Sequence, residues 1–115
     1  MEIEILEQEI NLMHERVCYA LGDPKRVLML YLLHEKGRCV NEIAEALNMP
    51  QPTVSRHLRV LRERGLVQTE RQGPSIFYSL TDSRIIEAID LMRGILSSQL
   101  QASAGLMQSF QKTDF

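Results

Sequence analysis

Twenty residues from Asn48 to Val67, NMPQPTVSRHLRVLRERGLV, constrain this chain more than any other stretch. Val54, Leu58 and Leu61 recur at i, i+4 and i+7, the spacing of one buried stripe along a helix. Pro50 and Pro52 bracket the start of that helix, where a missing backbone N–H costs nothing because first-turn donors are unpaired anyway. Gly65 ends it just after Arg64. The opposite face carries Thr53, Arg56 and Arg59, with Gln51 and Ser55 flanking its beginning. Arg56, Arg59, Arg62 and Arg64 against Glu63 leave a local excess of three positive charges in a chain whose total is −2. A short basic helix with small polar residues at its N-terminal end suits a DNA major groove, because arginine, glutamine, serine and threonine reach base edges and phosphates there.

The rest of the composition sets bounds. A chain of 115 residues, 44% hydrophobic and 24% charged, is expected to form one soluble domain with a modest core. No apolar run approaches the roughly 18 residues of a membrane span. The acidic start MEIEILEQEI lacks the basic opening of a signal peptide, so a cytoplasmic location is expected. Two cysteines do not make a disulfide framework and read instead as thiols or metal ligands. Net charge alone misleads, because the charges are segregated. Residues 1–22 hold Glu2, Glu4, Glu7, Glu9 and Glu15 against Arg16 alone, an acidic first helix facing away from any nucleic acid.

Periodicity predicts the remaining elements. Ile3, Leu6, Ile10, Met13, Val17 and Ala20 form a coiled-coil-like seam on a helix running to about Leu21, a pattern that wants a partner helix. Asp23-Pro24 reads as an N-cap followed by proline at the first helical position. The second helix runs from Pro24 to Glu35 with Val27, Leu28, Leu30, Tyr31 and Leu32 inward. A third, Val40 to Leu47, buries Ile43, Ala44 and Leu47, with Asn48 as its left-handed C-terminal residue. After the basic helix come two strands, Leu66–Glu70 and Ile76–Leu80, around the loop Arg71–Pro74. Asp82 then caps a last helix with Ile85, Ile89, Met92 and Leu96 on one stripe and Ile86 and Leu100 beside it. The fold class is mainly α with a small β-hairpin, a winged helix-turn-helix in the order α-α-α-α-β-β-α. A single domain over 1–115 is expected, with 1–21 and 82–101 as dimerisation helices and 102–115 as a frayed tail.

At this point the chain resembles the ArsR/SmtB family of bacterial repressors. The resemblance rests on LGDPKRVLMLYLL (Leu21–Leu33), CVNEIAEALNMPQPTVSRHLRVLRERGLV (Cys39–Val67) and the hairpin RQGPSIFYSL (Arg71–Leu80), and covers about Leu21 to Leu96. It implies a non-enzymatic homodimer, built on the first and last helices, that binds an inverted-repeat DNA operator and is released by an inducer. Carried over by position, bases are read near Gln51, Thr53, Ser55 and Arg56, while Arg59, Arg62 and the wing-tip Arg71 hold phosphate. His57 beside the buried stripe reads as a packing residue. The family usually places a basic residue directly after the wing glycine, where this chain has Pro74-Ser75, so wing binding is expected to be less salt-sensitive than is common.

Sensing is grafted onto a fold and is read residue by residue. The family's zinc site on the last helix needs Asp-x-His and then His-x-x-Glu or His; the corresponding residues here are Asp82, Arg84, Ile95 and Ser98, which is no metal site. The Cys-x-Cys grip at the start of the third helix is reduced to Cys39-Val40-Asn41. Some relatives join that cysteine to thiols of the amino-terminal segment, and Cys39 with Cys18, assisted by His14, resembles such an arrangement for arsenite, cadmium or another thiophilic ion. Cys39 also stands where a helix-capping serine would, with Glu42 three residues on, and a thiol at a helix N-terminus beside Arg38 is favoured as a nucleophile. For Cys18 the competing role is that of a small apolar residue in the helix seam. Two other functions stay open: a thiol redox or persulfide-responsive regulator with no metal, and a winged-helix protein-interaction module. The basic, proline-opened helix speaks against the second. No glycine-rich phosphate loop, catalytic carboxylate pair or nucleophile–base signature points to an enzyme.

Overall fold

The computed structural model describes residues 2–103, so most of the tail expected over 102–115 lies outside the described residues. Its contacts divide the chain into two compact units, Met1–Asp82 and Ser83–Phe115.

The first unit opens on a long helical rod: α1 (Ile3–Met13), a π-helical stretch (His14–Cys18) and the single turn α2 (Tyr19–Leu21). The expected rod is present, but its seam is not continuous. A π turn bonds i to i+5 and holds more residues than an α turn, so apolar positions before and after it fall on different faces. Ala20 is fully buried, Leu6 and Val17 are half-buried, and no residue of α1 is buried.

Asp23 starts α3 (Pro24–Glu35) by accepting the Lys25 N–H at 2.8 Å, with Pro24 at the first helical position. Met29, Leu30 and Leu33 are its buried residues. Leu28, expected inward, is 45% exposed, and Val27, Tyr31 and Leu32 are half-buried. The inward line therefore lies one residue later than expected, because the i, i+1, i+4 set 29-30-33 covers a single helical face.

Cys39 precedes α4 (Val40–Leu47), which buries Ile43 and Ala44. Asn48 takes the left-handed conformation at φ 53, and the Met49 N–H closes the end on Ala44 O at 2.9 Å. The following α5 (Gln51–Glu63) begins after Pro50 and puts Val54, Leu58 and Leu61 entirely out of solvent. Gly65 at φ +81 ends it in a Schellman motif, Leu66 N–H to Leu61 O at 2.9 Å and Gly65 N–H to Arg62 O at 3.0 Å.

Strands β1 (Val67–Gln72) and β2 (Ser75–Leu80) pair antiparallel from Val67↔Leu80 to Gln72↔Ser75. The hairpin is longer than expected at its tip. Arg71 sits in the ladder opposite Ile76, and only Gly73-Pro74 remain as the turn, with Gly73 at φ 62. A glycine at the first central position lets a two-residue turn follow the strand twist, so pairing continues to its edge. An isolated bridge joins Arg38 to Tyr78, with N–H to O distances of 3.0 and 2.8 Å, and lays the segment before α4 along β2.

The second unit is α6 (Arg84–Ala102). It starts one residue later than expected: Ser83 is its N-cap, and the Ile86 N–H bonds Ser83 O at 3.0 Å, so Asp82 stands outside the capping position. Ile86, Ile89 and Leu100 are buried, while Met92 and Leu96, expected on the inward stripe, are exposed beside Leu91 and Ile95. The buried line runs 86-89-93-97-100, the period of a straight helix, and takes in half-buried Arg93 and Ser97.

Candidate nucleic-acid interface

Helix α5 meets α4 through the short turn Asn48–Pro50, and its buried stripe fixes which side chains remain for a partner. With Val54, Leu58 and Leu61 turned inward, Gln51, Ser55, Arg56, Arg59 and Arg62 are all exposed and Thr53 is half-buried. Arg56 Nη2 lies 3.4 Å from Thr53 Oγ1, a long contact that lays the guanidinium along the face of the helix. Ser55, Arg59, Arg62, Glu63 and Tyr78 line one cleft of about 610 Å³ between α5 and β2. Arg71 is exposed near the outer end of the hairpin. Against the single carboxylate of Glu63, the cleft presents two guanidinium groups, a hydroxyl and a phenol, donors suited to phosphate and base-edge acceptors.

Arg64 and His57 are turned elsewhere, the latter on the side of the buried stripe. Arg64 leaves the exposed face altogether: its Nη1 donates to Glu15 O at 2.9 Å, and its guanidinium carbon lies 4.4 Å from the centroid of the Tyr19 ring. His57 Nδ1 lies 3.3 Å from Arg26 Nη1 and its Nε2 lies 3.9 Å from Asp23 Oδ2. A guanidinium only donates, so Nδ1 is the acceptor and the ring proton sits on Nε2, toward Asp23. Arg26 also donates from Nε to Ala20 O at 2.7 Å and from Nη2 to Tyr19 O at 3.0 Å. The sequence reasoning passed over Arg26, Tyr19 and Tyr78. For Tyr78 a signal existed, since its ring lies on a strand directly after the basic helix. Arg26 and Tyr19 carried none, because they meet carbonyls and side chains brought together only by the fold.

Cys39 and Cys18 occupy different settings. Cys39 is half-buried and forms a capping box with Glu42, whose Oε1 accepts the Cys39 N–H at 3.0 Å. Hydrogen bonds from the Cys39 backbone and then its side chain hold the Glu42 carboxyl below its usual range, helped by the charges of Lys36 and Arg38. Arg38 itself is directed away from the thiol, with Nη2 on Glu35 Oε1 at 2.6 Å and Nε on Leu32 O at 3.1 Å. Cys18 is exposed, at the end of the π stretch, on a separate pocket that it shares with His14 and Glu15. Among the described residues no three His, Cys, Asp or Glu side chains stand together as a metal would need.

Residues 23–69 match the model of the bacterial regulatory protein arsR family. An HTH-type transcriptional regulator of Methanocaldococcus jannaschii is 43% identical over 74 residues, 64% of this chain and 83% of that protein. The chain belongs to the arsR family. It is a DNA-binding transcriptional repressor of winged helix-turn-helix type and not an enzyme. The HTH-type transcriptional repressor SmtB of Mycobacterium tuberculosis is 40% identical over 70 residues, and there the match spans 61% of this chain but only 52% of the relative. Among solved structures, a homodimeric winged helix-turn-helix DNA-binding domain of Mycobacterium bovis, described as a possible ArsR-family regulator, superposes with a TM-score of 0.74 at 26% identity. That match covers 88% of this chain and 93% of the other. For this family member, the matched segment runs from the cap of α3 to the middle of β1 and contains every candidate base-reading residue.

Proposed function

We propose that this repressor binds an inverted-repeat operator as a homodimer in the cytoplasm and that a thiol-directed inducer acting at Cys39 releases it. The observation that carries the reading is the placement of Ser55, Arg59 and Arg62 on one cleft with Tyr78, while Gln51, Thr53 and Arg56 occupy the free N-terminal half of the same helix. Gln51, Thr53, Ser55 and Arg56 read bases, and Arg59, Arg62 and Arg71 hold phosphates on either side. Dimerisation is supported by the homodimeric Mycobacterium bovis domain. The exposed apolar side chains of α1 and, separately, of α6 support it too.

Cys39 is the favoured sensor for a mechanical reason. It begins α4, which leads through Asn48 directly into α5, and its neighbour Arg38 is bridged to Tyr78 in β2. A group added to the sulfur acts on the reading helix and the wing together. Among the described residues of one chain no cluster of three metal-ligating side chains forms, so on this reading an arsenite or cadmium ion held by Cys39 takes further ligands from the second copy.

The test is fluorescence anisotropy on an operator selected from random DNA, with the reduced complex titrated by arsenite, cadmium and a persulfide donor in separate arms. Cys39→Ser is expected to bind the operator as the parent does and to resist release. Normal release of that variant in every arm removes Cys39 from the mechanism. Release by the persulfide donor alone selects the metal-free alternative.

A further inference from the structure

The C-terminal end of the basic helix touches the first helix away from the candidate base-reading residues Gln51, Thr53, Ser55 and Arg56. Arg64, the C-cap of α5, crosses to the π stretch, Arg26 of α3 reaches the same region, and the Tyr19 ring meets both, 4.4 Å from the first guanidinium carbon and 5.6 Å from the second. Both cations engage only neutral acceptors: carbonyls of Glu15, Tyr19 and Ala20, and the His57 ring. Among the described residues no carboxylate lies within ion-pairing distance of either one. Arg26, Arg64 and Tyr19 line a pocket of about 550 Å³ together with His14, Cys18, Gly22 and the acidic Glu15, within the size range of small-ligand sites.

Arg26 commits all three of its nitrogens, whereas Arg64 commits one N–H and keeps Nε and its second amino group. A guanidinium with two adjacent donors free and its charge unneutralised is a fork shaped for a planar or tetrahedral oxyanion. We propose that this pocket binds a small oxyanion or carboxylate, gripped by Arg64 with the charge of Arg26 behind it, and that the bound anion draws Arg64 off Glu15 O. Arg64 is the C-cap of α5, so occupancy loosens the hold of the first helix on the reading helix and lowers operator affinity. That consequence rests on the operator reading above; binding of the anion does not.

The experiment uses the free full-length protein with inorganic phosphate in one arm and acetate in the other, at constant ionic strength against chloride. Saturable shifts are expected at the Arg26 and Arg64 Nε–Hε signals and the Gly22 amide. Alkylation of Cys18 by iodoacetamide should slow while that of Cys39 does not change. Arg64→Lys, which keeps the charge and loses the fork, should weaken binding roughly tenfold, the value of one charge-assisted hydrogen bond. Arg64→Met should abolish it. Shifts confined to Arg56, Arg59 and Arg62, linear drift without saturation, or equal binding by Arg64→Lys each overturn the site. Saturable binding that leaves operator affinity of the parent unchanged overturns the coupling to α5. A protein that binds the anion but no operator refutes the DNA reading and leaves the pocket standing.

Discussion

Arg56 and Arg62 lie on the same helix, and the proposed reading gives them different work. Arg56 is held along the N-terminal half of α5 by Thr53, where a docked helix meets base edges, and Arg62 lines the cleft nearer the hairpin. Arg56→Ala should cost about 1–3 kcal/mol of binding to the operator and relax preference at one base pair. Arg62→Ala should instead weaken operator and random DNA alike and reduce the salt slope by about 1. Anisotropy titrations over a range of salt separate the two, and identical losses on both DNAs for Arg56→Ala refute base reading by it. Glu42 gives a prediction about pH. Its carboxyl is held low in the folded protein, so the charged form adds stability above its ordinary range, and this is lost as pH falls through the folded value. The difference in Tm between parent and Glu42→Ala should be full at neutral pH and close on acidification. A constant difference down to acid pH shows that the capping carboxylate is not the source.

Between elements, the ends of helices decide how the reading head is aimed. Gly65 adopts φ +81 with no atom within 4 Å of a would-be Cβ, so Gly65→Ala tests conformation and not space. It should cost about 1–2 kcal/mol, the penalty of a left-handed L-residue, read as a shift in urea midpoint with unchanged m-value. Such punctuation was legible in the sequence: Asp23-Pro24, Asn48 and Gly65 each act through local backbone preferences, and α3 and α4 have the expected bounds. The buried line of α3 was not legible, because apolar residues at 27–33 fill nearly every position and periodicity cannot rank them. The length of the hairpin depends on the turn geometry of Gly73-Pro74, which a loop reading spread over four residues. At the site, the free face of α5 followed from its stripe, whereas the diversion of Arg64 to Glu15 O depends on a carbonyl 49 positions away. No local pattern encodes that.

For the molecule as a whole, the two exposed apolar surfaces and the segregated charge set the expected behaviour in solution. On α6, Leu91 and Ile95 are 72% and 60% exposed. Replacing both by glutamate should halve the sedimenting mass and leave the far-ultraviolet spectrum unchanged; a persistent dimer locates the interface elsewhere. The three phosphate contacts per protomer proposed above correspond to a log–log salt slope of about −5 for a dimer, and a much steeper slope means that further cations contact the backbone. The π stretch has a consequence for inheritance as well as for shape. Removing any single codon from His14 to Cys18 takes out the residue that widens the turn, so the rod closes as an ordinary α-helix and residues 2–13 keep their facing to within roughly 20°. Every base-reading side chain survives such a deletion. The loss of one residue is therefore expected to be absorbed there, whereas the same deletion within Ile3–Met13, which has no wide turn to take it up, swings the residues ahead of it by about 100°.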